Sequence, residues 1–167
     1  ALAPGPPGPQ NGALIHSLEA FADPHTMLTY AIQRVGYDYK QTDPQGETNL
    51  IAFMAAIDAF PWAEQLAQWD EQQDGPLPTL VLQNESDQRE LWISALGEGR
   101  NLSYQLQSMS MQMRKGFFGK AKLEQDVTVV DESSRGEVDR LCELFCDGQY
   151  EVFDREVARL AARDSGD

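Results

Sequence analysis

Three methionines at alternate positions, Met109, Met111 and Met113, have a spacing that could serve metal chemistry. Thioether sulfurs bind Cu(I) when several of them converge on one ion. Alternate residues of a strand, however, lie about 7 Å apart. No histidine or cysteine stands nearby in the sequence to complete such a site. We therefore expect these methionines to fill gaps in the hydrophobic core, which is a common use of this residue.

The stretch that follows, GFFGK at 116–120, resembles the end of a phosphate-binding P-loop. The P-loop pattern also requires a glycine where Arg114 stands and a serine or threonine where Ala121 stands, so we predict no phosphate loop. A Gly-x-x-Gly loop also clamps RNA in KH domains, but there it joins two helices, whereas here it follows a predicted strand. The glycines favour a hairpin turn. The alternative is a contact surface that presents Phe117 and Phe118 between cations.

Cys142 and Cys146 lie four residues apart on a predicted helix. A zinc or iron–sulfur site needs further ligands, and both histidines, His16 and His25, lie far away near the N-terminus. We predict reduced thiols that behave as small apolar side chains, and neither a metal nor a cofactor.

The sequence contains no Gly-x-Ser-x-Gly elbow, no His-Glu-x-x-His pair and no calcium-binding loop. It therefore predicts a protein that is not an enzyme. A small enzyme or redox protein, with an unrecognised carboxylate site or a site at Cys142 and Cys146, stays as an alternative.

The charge is strongly unbalanced, with 27 acidic and 13 basic residues and a net charge of −14. This excess disfavours binding to nucleic acids and to anionic membranes, and favours a basic partner. Residues 43–98 contain eleven acidic residues and a single base, Arg89, whereas residues 100–122 contain five bases and no acid. We expect a partner to contact ten residues of these two regions: Asp70, Glu71, Asp74, Glu85, Asp87, Arg114, Lys115, Phe117, Phe118 and Lys120.

The elements that position these residues follow from apolar periodicity. Residues 1–12 are rich in proline and glycine and predict a flexible leader, followed by a single domain over 13–164. Its helical part, 13–74, begins with a helix capped at Asp23 that carries Leu28, Ala31, Ile32 and Val35 at helical spacing. Turns occupy 37–47. A second helix follows Thr48 and a third begins at Pro61.

The period changes to that of strands over 79–131, where we predict an antiparallel meander of about four strands. The third strand begins at Asn101 and is long. Its early apolar residues and its methionines have opposite parity, so both sets can face the core only if a β-bulge lies near Gln107–Ser108. Two C-terminal helices over 134–163 complete an α+β fold, and Ser134 with Glu137 has the spacing of a capping box.

These features predict a non-catalytic, acidic binding protein that neutralises or escorts a basic protein partner. Small acidic α+β proteins of this kind include bacterial immunity proteins that inhibit toxins, a similarity of class alone. A secretion chaperone is the alternative, and it would show a dimerising sheet and an extended hydrophobic groove. No transmembrane run and no secretion signal are visible, so we expect a cytoplasmic location.

Overall fold

The computed structural model describes residues 27–116 and 119–165, which form one six-stranded antiparallel sheet and four helices. The chain order is β1 (Leu28–Gln33), β2 (Asp43–Thr48), α1 (Leu50–Ala59), α2 (Trp62–Gln72), β3 (Thr79–Asn84), β4 (Arg89–Glu98), β5 (Asn101–Lys115), β6 (Ala121–Ser133), α3 (Arg135–Cys146) and α4 (Tyr150–Ser165). The strands lie in the order β2-β1-β3-β4-β5-β6, so β2 and β6 are the two edges. The predicted α+β class is confirmed.

One face of the sheet carries the hydrophobic core. The strand residues Leu80, Leu82, Leu91, Ile93 and Leu106 alternate onto this face and are almost fully buried. Each of the four helices contributes side chains to the same cluster, among them Phe53, Trp62, Phe145 and Phe153. Each such side chain stabilises the fold by roughly 1.5–3 kcal/mol relative to an exposed one. The helices therefore lie on one face of the sheet, which we call the core face.

The prediction that the helical part begins with a helix carrying Leu28, Ala31 and Ile32 is wrong, because residues 28–33 form the strand β1. This strand lies between β2 and β3, and its two faces are both largely covered. Ala31 and Ile32 are therefore both buried although they point to opposite faces. A strand covered on both faces loses its alternating pattern, and here the apolar residues fell at helical spacing by coincidence.

The expected turn region over 37–47 also contains a strand, since β2 begins at Asp43. Its sequence, DPQGET, holds Pro44 and Gly46, which are depleted in strands. Proline is tolerated at an edge because the position lacking an N–H faces away from the neighbouring strand. With β1 and β2 the sheet has six strands among the described residues, and the prediction of about four is wrong.

The predicted bulge at Gln107–Ser108 is wrong. The pairing of β5 with β4 runs without a shift from Glu98↔Asn101 to Arg89↔Ser110. The methionines therefore lie on the face opposite the core, and Met113 is 65% exposed. A register shift does occur in the pairing of β5 with β6. Tyr104 pairs with Ser133 and Leu106 pairs with Val130, so β6 has one extra residue between these two pairs.

The capping box that opens α3 is confirmed. The Ser134 hydroxyl accepts from the backbone N–H of Glu137, and the Glu137 carboxylate accepts from the backbone N–H of Ser134 at 3.0 Å. At α1 the cap is Asn49 rather than Thr48, because the Asn49 side chain accepts from the Ala52 N–H at 2.9 Å.

In the described part of the chain no single helix has both the length and the apolar content to cross a membrane. The pair α1 and α2 has the required length and apolar content when taken together, but the two helices are bent by 55° relative to each other.

Candidate functional site

The hairpin of β5 and β6 extends past the rest of the sheet. Arg89, the first residue of β4, pairs with Ser110, so residues 111–115 have strand partners, among the described residues, only in residues 121–125 of β6. We call these ten residues the hairpin tip and the part paired with β4 the hairpin base. At about 3.4 Å per residue the tip projects by about 17 Å.

β5 ends at Lys115 and pairs there with Ala121 of β6, so the two strands meet as a hairpin, as the glycines predicted. The Gly116 N–H donates to the Lys120 carbonyl at 2.7 Å, and Gly119 adopts a positive φ of 76° that glycine accommodates without strain. Phe117 and Phe118, both predicted to contact a partner, lie outside the described residues. Lys115 and Lys120 flank the turn and are exposed, so this end of the molecule is cationic.

The two faces of this hairpin differ in chemistry. On the core-face side of the tip, Arg114 forms ion pairs with Asp126 at 2.9 Å and with Glu124 at 3.4 Å. The opposite face of the hairpin, from the tip into the base, carries a row of apolar residues that we call the apolar strip: Met109, Met111, Met113, Leu123, Val127 and Val129. Leu123, Val127 and Val129 are 45%, 47% and 43% exposed. A contiguous exposed apolar surface of this kind is typical of an interaction site.

A cleft with a volume of about 290 Å³ lies where the hairpin meets the β3–β4 turn. Met109 and Met111 line one side of it, and Glu85 and Gln88 of the turn line another. The Met111 N–H donates to the Gln88 carbonyl at 3.2 Å, which attaches the start of the tip to the turn. The cleft therefore continues the apolar strip towards an acidic turn.

Arg89 fixes the position of this turn. Its guanidinium binds both oxygens of Asp154, at 2.7 and 2.9 Å, and lies 4.4 Å from the centre of the Tyr150 ring. The hydrogen bonds to Asp154 raise the pKa of Arg89 further above its ordinary value. The side chain of buried Asn84 bonds to the Tyr150 hydroxyl and to the Asp87 carboxylate. Asp87 is therefore partly engaged in holding the turn, although both Asp87 and Glu85 are exposed.

The structure divides the residues predicted to bind a partner into two groups. Glu85 and Asp87 follow β3 and lie at the same end of the sheet as the hairpin tip. Asp70, Glu71 and Asp74 precede β3 and lie at its other end. A strand of six residues separates the groups by roughly 20 Å. One compact partner-binding surface over all of the predicted residues is therefore not formed.

The second group forms an acidic cluster at the end of α2, which we define as Asp70, Glu71 and Asp74. All three are exposed, and within residues 27–116 and 119–165 none of them forms an ion pair. The C-terminus of a helix carries a partial negative charge, so carboxylates there are unfavourable, and the last turn of α2 holds no base. Acids of α3 are arranged differently, since Asp139 and Glu137 bind Arg135 and Arg163.

The two cysteines lie in α3, where Cys142 is buried and Cys146 partly buried. Burial raises the pKa of Cys146 to about 11 and raises that of Cys142 further. Both are therefore thiols rather than nucleophilic thiolates at neutral pH. Among the described residues no group of three or more His, Cys, Asp or Glu side chains is placed to hold a metal ion.

Comparisons with protein-family models, with curated proteins and with solved structures gave no match for this chain. Function must therefore be inferred from the apolar strip, the cleft beside it and the acidic cluster.

The apolar strip was missed from the sequence, although a signal for it was present. Leu123, Val127 and Val129 share one parity along β6, and Val130, the buried residue, has the other. Two apolar sets of opposite parity in one strand indicate that both faces carry apolar surface. The sequence does not say which face the helices cover.

Proposed function

We propose that this protein is a non-catalytic binding protein that neutralises or escorts a basic protein partner. The observation that supports it is the acidic cluster at the end of α2, where three exposed carboxylates form no ion pair with any described residue, at a helix terminus that disfavours negative charge. Such an arrangement costs stability locally, and violations of local rules are concentrated at functional sites. The net charge of −14 would accelerate the approach of a basic partner.

A bacterial immunity protein that inhibits a toxin in the cytoplasm fits this proposal. Its carboxylates would occupy the place of an anionic substrate in the toxin, and exposed side chains at the end of a helix are free to do so. Association by this means falls steeply as the salt concentration rises.

The test is co-purification from the native cell with a matched pair of variants. We expect a basic protein to be recovered with the unaltered chain and to be lost with the variant Asp70→Asn, Glu71→Gln, Asp74→Asn. The control is Glu47→Gln, Glu143→Gln, Glu151→Gln, which changes the net charge equally at exposed acids elsewhere. The first variant should be no less stable than the parent, because it relieves repulsion at the C-terminus of α2. Equal loss of the partner with both variants would contradict a defined site.

The apolar strip favours escort by a secretion chaperone as a second function. An exposed apolar face on a sheet can hold an extended segment of a client protein through side-chain pockets and main-chain bonds. Met113→Lys would then abolish client binding while the neutralised acidic cluster retained it. The opposite pattern would support neutralisation through α2.

A further inference from the structure

The two edges of the sheet are protected to different degrees. The edge strand β2 is short, with six residues, and it contains Pro44, Gly46 and a shift in its register with β1. These are the devices that prevent unwanted strand pairing. The edge strand β6 has thirteen residues and contains neither proline nor glycine. Its one bulge lies near the C-terminal end, between Val130 and Ser133, so the long stretch before it presents a template for another strand.

Protection of β6 is confined to its C-terminal end. There the Asp164 carboxylate accepts from the Glu132 N–H at 3.2 Å, and Arg163 donates to the Glu132 carbonyl at 2.9 Å. Between Ala121 and Asp131 no described group outside the hairpin bonds to the backbone of the strand. Arg114 forms ion pairs with both Asp126 and Glu124 and offsets one of their two negative charges, which lowers the repulsion that a neighbouring strand would meet.

We propose that β6 pairs antiparallel with β6 of a second copy of this chain, about a two-fold axis at Val127. Directly opposed residues of an antiparallel pair lie on the same face, so a two-fold axis must place one residue opposite its own copy. An axis at Asp126 would oppose two carboxylates, which is destabilising. An axis at Val127 opposes two exposed valines and places Asp126 against Thr128.

The charges at the two ends of β6 favour pairing with a second copy of this chain over pairing with a basic protein. The antiparallel arrangement brings the cationic hairpin tip of one copy, with Lys115 and Lys122, beside the other copy's Asp131 and Glu132. A basic protein would instead meet like charges at this tip. The apolar strips of the two copies would also become continuous across Val127 and Val129. This pairing is independent of the acidic cluster, which lies at the opposite end of β3 from the hairpin tip.

The first test is the mass of the full chain in solution, measured by sedimentation equilibrium over a range of protein concentrations. We expect a dimer. Val127→Lys should weaken the dimer by at least about tenfold, because two like charges would then oppose each other. The matched control is Gln45→Lys on the other edge, which should leave dimerisation unchanged. Val127 is 47% exposed, so the lysine variant should keep its fold, which circular dichroism would check.

The second test fixes the register by disulfide formation. Opposed residues of an antiparallel pair have Cα atoms about 4.5–5.5 Å apart, within the range that a disulfide requires. Val127→Cys should therefore form a covalent dimer on mild oxidation. Val129→Cys should not, because the two copies of residue 129 would lie about 14 Å apart along the strands. The native thiols contribute little background, since burial raises the pKa of Cys146 to about 11 and that of Cys142 further.

A monomer at every concentration, or a Val127→Lys variant that dimerises as strongly as the parent, would overturn the proposal. Crosslinking through residue 129 but not through 127 would overturn the proposed axis. Suppose that Val127→Cys stays monomeric and that its new thiol also fails to react with a maleimide. This result would overturn the pairing and would indicate that residues 1–26 of the same chain cover the β6 edge.

Discussion

The base and the tip of the β5–β6 hairpin have the same backbone pairing, but the base carries apolar residues on both faces, whereas the tip carries them on one face. In the base, Tyr104 and Leu106 point to the core face and are buried beneath helices. On the other face the apolar strip runs along both parts, and beyond Ser110 its residues Met113 and Leu123 are exposed. The alternation identifies a strand in both places. Only the position of the helices decides which apolar set becomes core.

The base and the tip should differ most in the stability that is lost when an apolar residue of each is replaced with alanine. Leu106 is almost fully buried among core residues, so Leu106→Ala should lower the free energy of unfolding by about 2–5 kcal/mol. Met113→Ala, at the tip, should change it by less than about 0.5 kcal/mol, as exposed positions usually do. Urea unfolding of both variants measures the difference. Similar losses for the two would contradict the distinction between base and tip.

Glu137→Gln should have an intermediate effect that depends on pH. Near the hairpin base, burial alone would raise the pKa of Glu137, but the hydrogen bonds from Ser134 and Arg163 outweigh it and lower the pKa. A lowered pKa in the folded state stabilises the protein above the ordinary value of 4.5, and this contribution is lost as the pH falls through the folded-state pKa. The variant should therefore be less stable at pH 7 by about 1 kcal/mol, the scale of one helix cap.

This difference between the parent and Glu137→Gln should close at a pH below 4.5. Urea unfolding at pH 7 and at acidic pH would measure it, with Glu143→Gln as a control for the loss of one negative charge. A difference that stayed constant over this range would show that the carboxylate charge contributes nothing.

The smallest effect should follow Arg114→Ala in the tip. The Arg114 side chain is 54% exposed, and exposed ion pairs contribute about 0–1 kcal/mol. Any loss of stability should shrink further in high salt, because added ions screen exposed charges. Urea unfolding at two salt concentrations would test this. A loss as large as that of Leu106→Ala would mean that the tip is as integral to the fold as the base.

Local signals in the sequence predicted much of the second half of the molecule. The strands at 79–84 and 89–98 and the capping box of Ser134 and Glu137 are present, because short apolar runs and helix caps are determined by neighbouring residues. The first strand could not be predicted in the same way. Its residues Ala31 and Ile32 are buried by partners that arrive later in the chain, from β2 and β3.

The candidate site was predicted in part. The charges of Asp70, Glu71 and Asp74 are exposed, as a charge pattern suggests, but their distance from Glu85 depends on β3 lying between them. The parity of the methionines was correctly recognised as a conflict. The bulge proposed to resolve it was wrong, because β5 carries apolar residues on both faces and the helices cover only one of them.

The order of the strands also bears on how fast the chain folds. Every neighbouring pair in the sheet joins consecutive strands except β1 and β3, which are separated by β2, α1 and α2. Hairpins between consecutive strands close short loops and form quickly, whereas a non-local pairing requires a long loop to close first. We therefore expect the docking of β1 against β3 to be the slow step in forming the sheet. Ile32 and Leu80, which meet across that pair, are the contacts through which a mutation would retard folding.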